Sequence, residues 1–197
     1  MDRRTFLAAV PALAIASSVR GQARPDDKLT RLLAAARAQI GQTLSYDPNY
    51  TKLAYPNGDV PLSRGVCTDV IIRAYRAIGI DLQQRVHEDM AAHFALYPNT
   101  WGLSAPDVSI DHRRVPNLKV FLARFGTVLP LSSDPRAFKP GDLITNLPGG
   151  HAHIAIVSDV VSQLSGRLMV YQNIGWGARL DDDLLTWEMT GHYRYAV

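Results

Sequence analysis

The sequence predicts one α+β domain, and three observations carry that prediction. Residues at helical spacing fill the first part of the chain. Short apolar segments rich in β-branched and aromatic residues fill the last part. The whole is 197 residues, the length of one ordinary domain. Helices first and strands second argue a small antiparallel sheet packed on N-terminal helices, not alternating βα units. A content of 47% hydrophobic and 20% charged residues excludes a disordered tail and a collagen-like fibre. No apolar run reaches the ~20 residues that span a bilayer, so a multi-span membrane protein is excluded too.

Residues 1–23 read as an export signal. Arg3 and Arg4 precede an apolar run over residues 6–16, and Gly21 and Ala23 supply a small-residue cleavage site. The run is too short to cross a membrane. The arginine pair followed by Phe6 and Leu7 resembles the twin-arginine signature, with Asp2 and Ala8 departing from it. The alternative is a buried N-terminal helix. Export predicts a mature domain over residues 24–197, periplasmic or secreted, with no stable membrane anchor. It also disposes of the basic balance. Arg3, Arg4 and Arg20 against Asp2 hold two of the three net positive charges. With no later Lys/Arg block, no nucleic-acid partner is expected.

Residues 26–40 predict an amphipathic helix, with Leu29, Leu32, Leu33, Ala36 and Ile40 on one face and Gly41 as the stop. Residues 45–63, rich in Pro, Asn, Gly, Asp and Tyr, predict an irregular loop. Residues 66–78 predict a second helix through Val66, Val70, Ile71, Ala74 and Ile78, closed by Gly79. Residues 84–97 predict a third helix and 117–124 a fourth, with polar loop over 107–114. Strands are predicted over 142–145, 152–158, 168–173 and 193–197.

The single cysteine, Cys67, rules out an intramolecular disulfide and argues against a Cys-based zinc site. It falls where a loop enters the second helix. There the helix dipole favours thiolate, the nucleophilic form. The alternative is a small buried core residue. A nucleophilic cysteine needs a base, and His151 and His153 open an apolar strand after a Gly-rich turn. His153 lies within the strand; His151 is nearer the turn. His-x-His on a strand is also a metal pattern, but no third ligand stands at a recognisable spacing, so no metal or cofactor is expected. On the next strand, Gln172 or Asn173 can accept from the far imidazole nitrogen; otherwise both merely begin the turn at Gly175.

The order of cysteine on a helix, Pro140-Gly141-Asp142, histidine strand and polar residue on the next strand resembles the NlpC-type cell-wall cysteine peptidases of the papain-like clan. A closer similarity is to an exported bacterial family of this length, known as a domain of unknown function. It rests on Tyr55-Pro56-Asn57-Gly58-Asp59-Val60-Pro61, Gly65-Val66-Cys67-Thr68-Asp69-Val70 and Val86-His87-Glu88-Asp89-Met90. It continues through Ile110-Asp111-His112-Arg113-Arg114-Val115-Pro116-Asn117-Leu118, Asn173-Ile174-Gly175 and Gly191-His192-Tyr193-Arg194-Tyr195.

The resemblance implies a papain-like fold with Cys67 as nucleophile and His153 as base. The third position falls on Gln172, where relatives tend to carry histidine. With the export signal it implies hydrolysis of peptidoglycan stem peptides through a Cys67 thioester. On such a substrate Arg113 and Arg114 can clamp a carboxylate, and Asp59 and Asp69 can hold a free amine. His112 and His151 are further candidates for the cleft wall. The alternative for the charged residues is that they tie long loops together by ion pairs. The alternatives for the whole are a cell-wall-binding domain without turnover and an acyltransferase using the same Cys/His pair.

Overall fold

The computed structural model describes residues 25–197. The expected export signal, residues 1–23, lies outside the described residues. Four helices run in order: α1 (Pro25–Ala38), α2 (Cys67–Ala77), α3 (Leu82–His93) and α4 (Val115–Phe125). Each has an apolar stripe to bury. Leu32 and Ala36 of α1, Val70 and Ile71 of α2, Val86 of α3 and Phe121 of α4 are all buried. They meet in one core with Leu143, Ile154, Ile156 and Tyr171 from the sheet. None of the helices among the described residues is long and apolar enough to cross a membrane.

The sheet has six strands: β3 (Thr127–Val128), β4 (Leu143–Asn146), β5 (His153–Val161), β6 (Leu168–Asn173), β7 (Ala178–Asp181) and β8 (Met189–Arg194). Their spatial order is β3-β8-β4-β5-β6-β7, and every neighbouring pair is antiparallel. Side chains alternate between faces along each strand. Leu143, Ile156 and Tyr171 lie directly across one another and join the helix-side core. Ile144, Ala155, Val157 and Val170 turn the other way, where Phe138 and Leu184 cover them. Both faces of the sheet are therefore buried, which explains why β4 and β5 read as near-continuous apolar runs.

The α+β class holds, and the departures from the expected boundaries have local causes. Helix α1 stops at Ala38, so Ile40 leaves the apolar face and is 40% exposed. Helix α3 starts at Leu82 because Asp81 caps it, accepting from the Gln83 amide at 3.2 Å. It ends at His93, and Phe94–Leu96 tighten into a 3-10 turn. Helix α4 starts at Val115 because Pro116 is tolerated in a first turn, where its missing N–H has no partner to lose. The last strand is Met189–Arg194, not 193–197. Gly191, ahead of the expected start, lies inside β8, where a Cβ would collide with the Tyr193 ring and Thr145 Oγ1. Strand β7 was not expected, since Ala-Arg-Leu-Asp lacks β-branched residues.

The loop over residues 45–63 also holds a two-residue strand, β1 (Ser45–Tyr46), which pairs in parallel with β2 (Arg64–Gly65). Buried polar side chains pin the rest of it. Gln83 accepts from the Gly58 amide at 2.8 Å and donates to the Ala54 and Val108 carbonyls, both at 2.9 Å. Arg73 pairs with Asp59 at 2.9 Å and donates to the Val60 and Arg64 carbonyls at 3.1 Å. A loop without periodicity is ordered here because its backbone groups find side-chain partners.

Candidate active site

Helix α2 begins at Cys67. The residue before it, Val66, has no side-chain acceptor for a cap. Asp69 reaches back instead and accepts from the Val66 N–H at 2.7 Å. Its carboxylate is buried and is gripped by Arg113 through Nε and a terminal Nη, both at 3.0 Å. Arg113 also donates to the Asp47 and Asn49 carbonyls at 3.2 and 3.3 Å. One buried ion pair therefore ties the first turn of α2 to the loop just after Tyr46.

Strands β5 and β6 bring up His153 and Gln172, both buried. His153 Nε2 and Gln172 Oε1 are 2.9 Å apart. Of the two candidates for the third position, Gln172 meets the imidazole. Asn173 donates to the Ser45 and Gly65 carbonyls at 3.2 and 2.9 Å, so it clamps β1 and β2 to the end of β6.

The Cys67 sulfur is surrounded by donors. The Tyr46 hydroxyl and the backbone N–H groups of Ile154 and Thr68 point to it. Ile154 follows His153 directly, so one strand residue links the sulfur's neighbourhood to the imidazole. Two adjoining hollows of about 470 and 600 Å³ share Tyr46, Pro48 and Ala152. Cys67 lines the first and His153 the second. Volumes of this order suit a bound small molecule or a few residues of a peptide.

Burial pushes the Cys67 thiol up to about 11, against the pull of its three donors. This corrects the thiolate expected from the helix start. A dipole near a helix terminus contributes at most ~2 kcal/mol, and at this site the loss of water around the sulfur outweighs it. Burial likewise holds His153 down at about 4, with the Gln172 contact opposing. The thiol and the imidazole are both neutral at pH 7.

His112 is 2% exposed, and burial with Arg76 and Arg113 nearby holds it down at about 3. Two histidines are thus buried without charge. Below the ordinary histidine value of 6.5, the unfolded chain binds protons that the folded chain refuses. Stability is therefore expected to be flat between about pH 7 and 8 and to fall from pH 6.5 downward. The loss is about 2 kcal/mol per histidine by pH 5. Urea melts at pH 7.5 and 5.0 measure it, in a window above the carboxylate range. Equal stability at both would overturn the neutral assignment.

The remaining candidates are dispersed. Arg113 and Arg114 line the Cys67 hollow, and His151 lines the His153 hollow. The Arg114 guanidinium lies 4.0 Å from the centroid of the Trp101 ring and pairs with Asp111 at 3.3 Å. Asp59, Asp69, His112 and Asn173 line neither hollow. Among the described residues no group of three or more His, Cys, Asp or Glu side chains is placed to hold a metal ion. Sequence reasoning missed Tyr46, Trp101, Asp181 and Asp183. The run Asp181-Asp182-Asp183 was a visible signal; Tyr46, in a tyrosine-rich loop, carried none.

What the fold and the cleft define together is an α+β domain with a cysteine at a helix start and a glutamine-held histidine on the adjoining strands. The chain belongs to the DUF1287 family, described as a domain of unknown function, which matches residues 33–195. It is also similar to the uncharacterized protein YijF of Escherichia coli (strain K12). The two are 52% identical over 163 residues, 82% of this chain and 79% of that protein.

Proposed function

We propose that this domain is an exported papain-like, NlpC-type cysteine amidohydrolase that cleaves peptidoglycan stem peptides. The observation that carries the reading is the His153–Gln172 bond at 2.9 Å, one residue along the strand from an amide that faces the Cys67 sulfur. The order of parts adds to it: cysteine at a helix start, histidine opening a strand, polar partner on the next strand. Because thiol and imidazole are neutral at rest, the proton moves only as the sulfur attacks. The Cys67 S–H proton passes to His153 while the S–C bond forms and the carbonyl oxygen takes the negative charge. The N–H of Cys67, at a helix start with no partner within the helix, helps to bind that oxyanion. The tetrahedral adduct then expels the amine, which takes the proton from His153. Water releases the acid from the thioester and restores the thiol.

The export signal read in residues 1–23 supports a periplasmic or secreted setting, where this polymer lies. Arg114 at the cleft suits a substrate that carries carboxylates, whereas the Arg113 expected beside it is buried and already held by Asp69. Digestion of purified sacculi followed by mass spectrometry of the muropeptides is expected to give new peptide-cleaved fragments. No new fragment at any pH would overturn the substrate. Acyl transfer uses the same residues and would show as products joined to an added amine.

A second reading, a cell-wall-binding domain without turnover, has one observation on its side. Cys67 is 2% exposed and its thiol is pushed up to about 11. Alkylation by iodoacetamide is accordingly expected to be slow at pH 7 and to accelerate toward pH 11. Fragments released from sacculi by a slowly alkylated protein favour the neutral-pair hydrolase; binding to sacculi without fragments favours the second reading.

A further inference from the structure

Gln172 sits between an imidazole on one side and two carboxylates on the other. Its Nε2 donates to Asp181 Oδ2 at 3.1 Å and to Asp183 Oδ2 at 2.8 Å. Each carboxylate is anchored through its other oxygen. Asp181 Oδ1 pairs with Arg179 Nε at 3.3 Å, and Asp183 Oδ1 accepts from Thr186 Oγ1 at 3.2 Å. Arg179 lies directly across β7 from Gln172, so the pairing of β6 with β7 sets this geometry.

The chemistry of these groups leaves one arrangement. An ionised carboxylate only accepts hydrogen bonds, so the end of the Gln172 amide that meets two of them must be its NH₂. The carbonyl oxygen then points to His153 and can only accept. A neutral imidazole carries one N–H, and here it must be on Nε2. We propose that Asp181 and Asp183 are positioning residues of the site: by taking both N–H bonds of Gln172 they prevent its amide from flipping, and they thereby hold His153 in the Nε2–H form with the Nδ1 lone pair free. The use of that lone pair as the base rests on the hydrolase reading; the hydrogen-bond lock itself does not. It also explains how a glutamine can serve in this position. A lone glutamine amide can present either end, and two fixed acceptors remove that freedom.

The charged and titratable groups around His153 are Asp181, Asp183, Arg179, His151, Tyr46 and Cys67. Asp181 and Asp183 act on the imidazole through Gln172, and the Asp181 charge also favours its protonation directly. Arg179 pairs with Asp181, His151 is solvent-exposed, and Tyr46 and Cys67 bond to each other.

The test reads the tautomer directly. In ¹⁵N-labelled protein at pH 7, long-range ¹H–¹⁵N correlations are expected to give a single Nε2–H form for His153. In Asp181→Asn/Asp183→Asn, whose amides no longer force one orientation, a mixture with the Nδ1–H form is expected. Release of muropeptides is expected to fall at least tenfold, with KM little changed. If the double variant does not fold, the Asp181→Asn and Asp183→Asn single variants are each expected to give a smaller shift to the Nδ1–H form. A wild-type Nδ1–H form, or a folded variant that keeps pure Nε2–H, overturns the lock. The hydrolase reading fails separately, on absent fragments with the wild-type protein, whatever the tautomer.

Discussion

Cys67→Ala is expected to lower release of peptide fragments from sacculi by about four orders of magnitude or more, to background. The sulfur is the atom that bonds to the carbonyl carbon, and no other thiol exists in the chain to replace it. Cys67→Ser should fail nearly as completely. A serine hydroxyl is harder to deprotonate than a thiol, and the His153 imidazole, held down at about 4, is a weak base for it. Neither change is expected to unfold the domain. Cys67 is small and belongs to the core that holds Val70 and Ile71, so removing its sulfur costs ~1 kcal/mol. Thermal melts of variant and wild type check that point, and muropeptide release at matched folded concentration checks the first. Wild-type rates from Cys67→Ala would end the hydrolase reading.

The largest effect on stability is expected away from the cleft. Asp142 is fully buried just before β4. It accepts from His192 Nε2 at 2.9 Å, from Arg194 Nε at 2.8 Å and from the Lys139 amide at 2.9 Å. His192 is itself buried, stacked on Phe138 with ring centroids 4.5 Å apart, and its Nδ1 meets the Pro130 carbonyl at 3.3 Å. Asp142→Ala removes the one carboxylate these groups share and leaves His192 and Arg194 without their partner inside the sheet. Breaking a buried pair in this way costs ~3–5 kcal/mol, which corresponds to a Tm roughly 10 °C lower for a domain of this size. Asp142→Asn keeps the shape and one acceptor and should lose less. Urea unfolding of the three proteins measures the difference. A loss below ~1 kcal/mol for the alanine variant would mean that the pair is not what joins β4 to β8.

Local pattern made α2 legible in advance. Val70, Ile71 and Ala74 recur at helical spacing, a glycine follows, and Cys67 stands where the periodicity begins. The same holds for β5 and β6, whose β-branched and apolar residues are bounded by glycine turns. His153 and Gln172 could be placed on neighbouring strands because a hairpin-length turn separates them. Boundaries slipped where a residue's local preference was overruled by a distant contact. Gly191 is the clearest case: it stops a strand by propensity and continues one because Tyr193 and Thr145 leave no room for a side chain.

Sequence by itself determined the α+β class, the helix that opens with the lone cysteine, and the strands that carry the histidine and its partner. Each depends on residues near one another in the chain, through periodicity, capping and turn chemistry. Tertiary structure alone decided the state and company of those groups. It brought Tyr46 to the sulfur from a loop without periodicity, gave Asp69 to Arg113, and set Asp181 and Asp183 behind Gln172. It also reversed the expectation for the thiol. The helix start is a local feature and favours the thiolate, whereas the water excluded around Cys67 depends on how helices, loop and sheet close over it. Desolvation is a property of the packed whole, and here it outweighs the dipole.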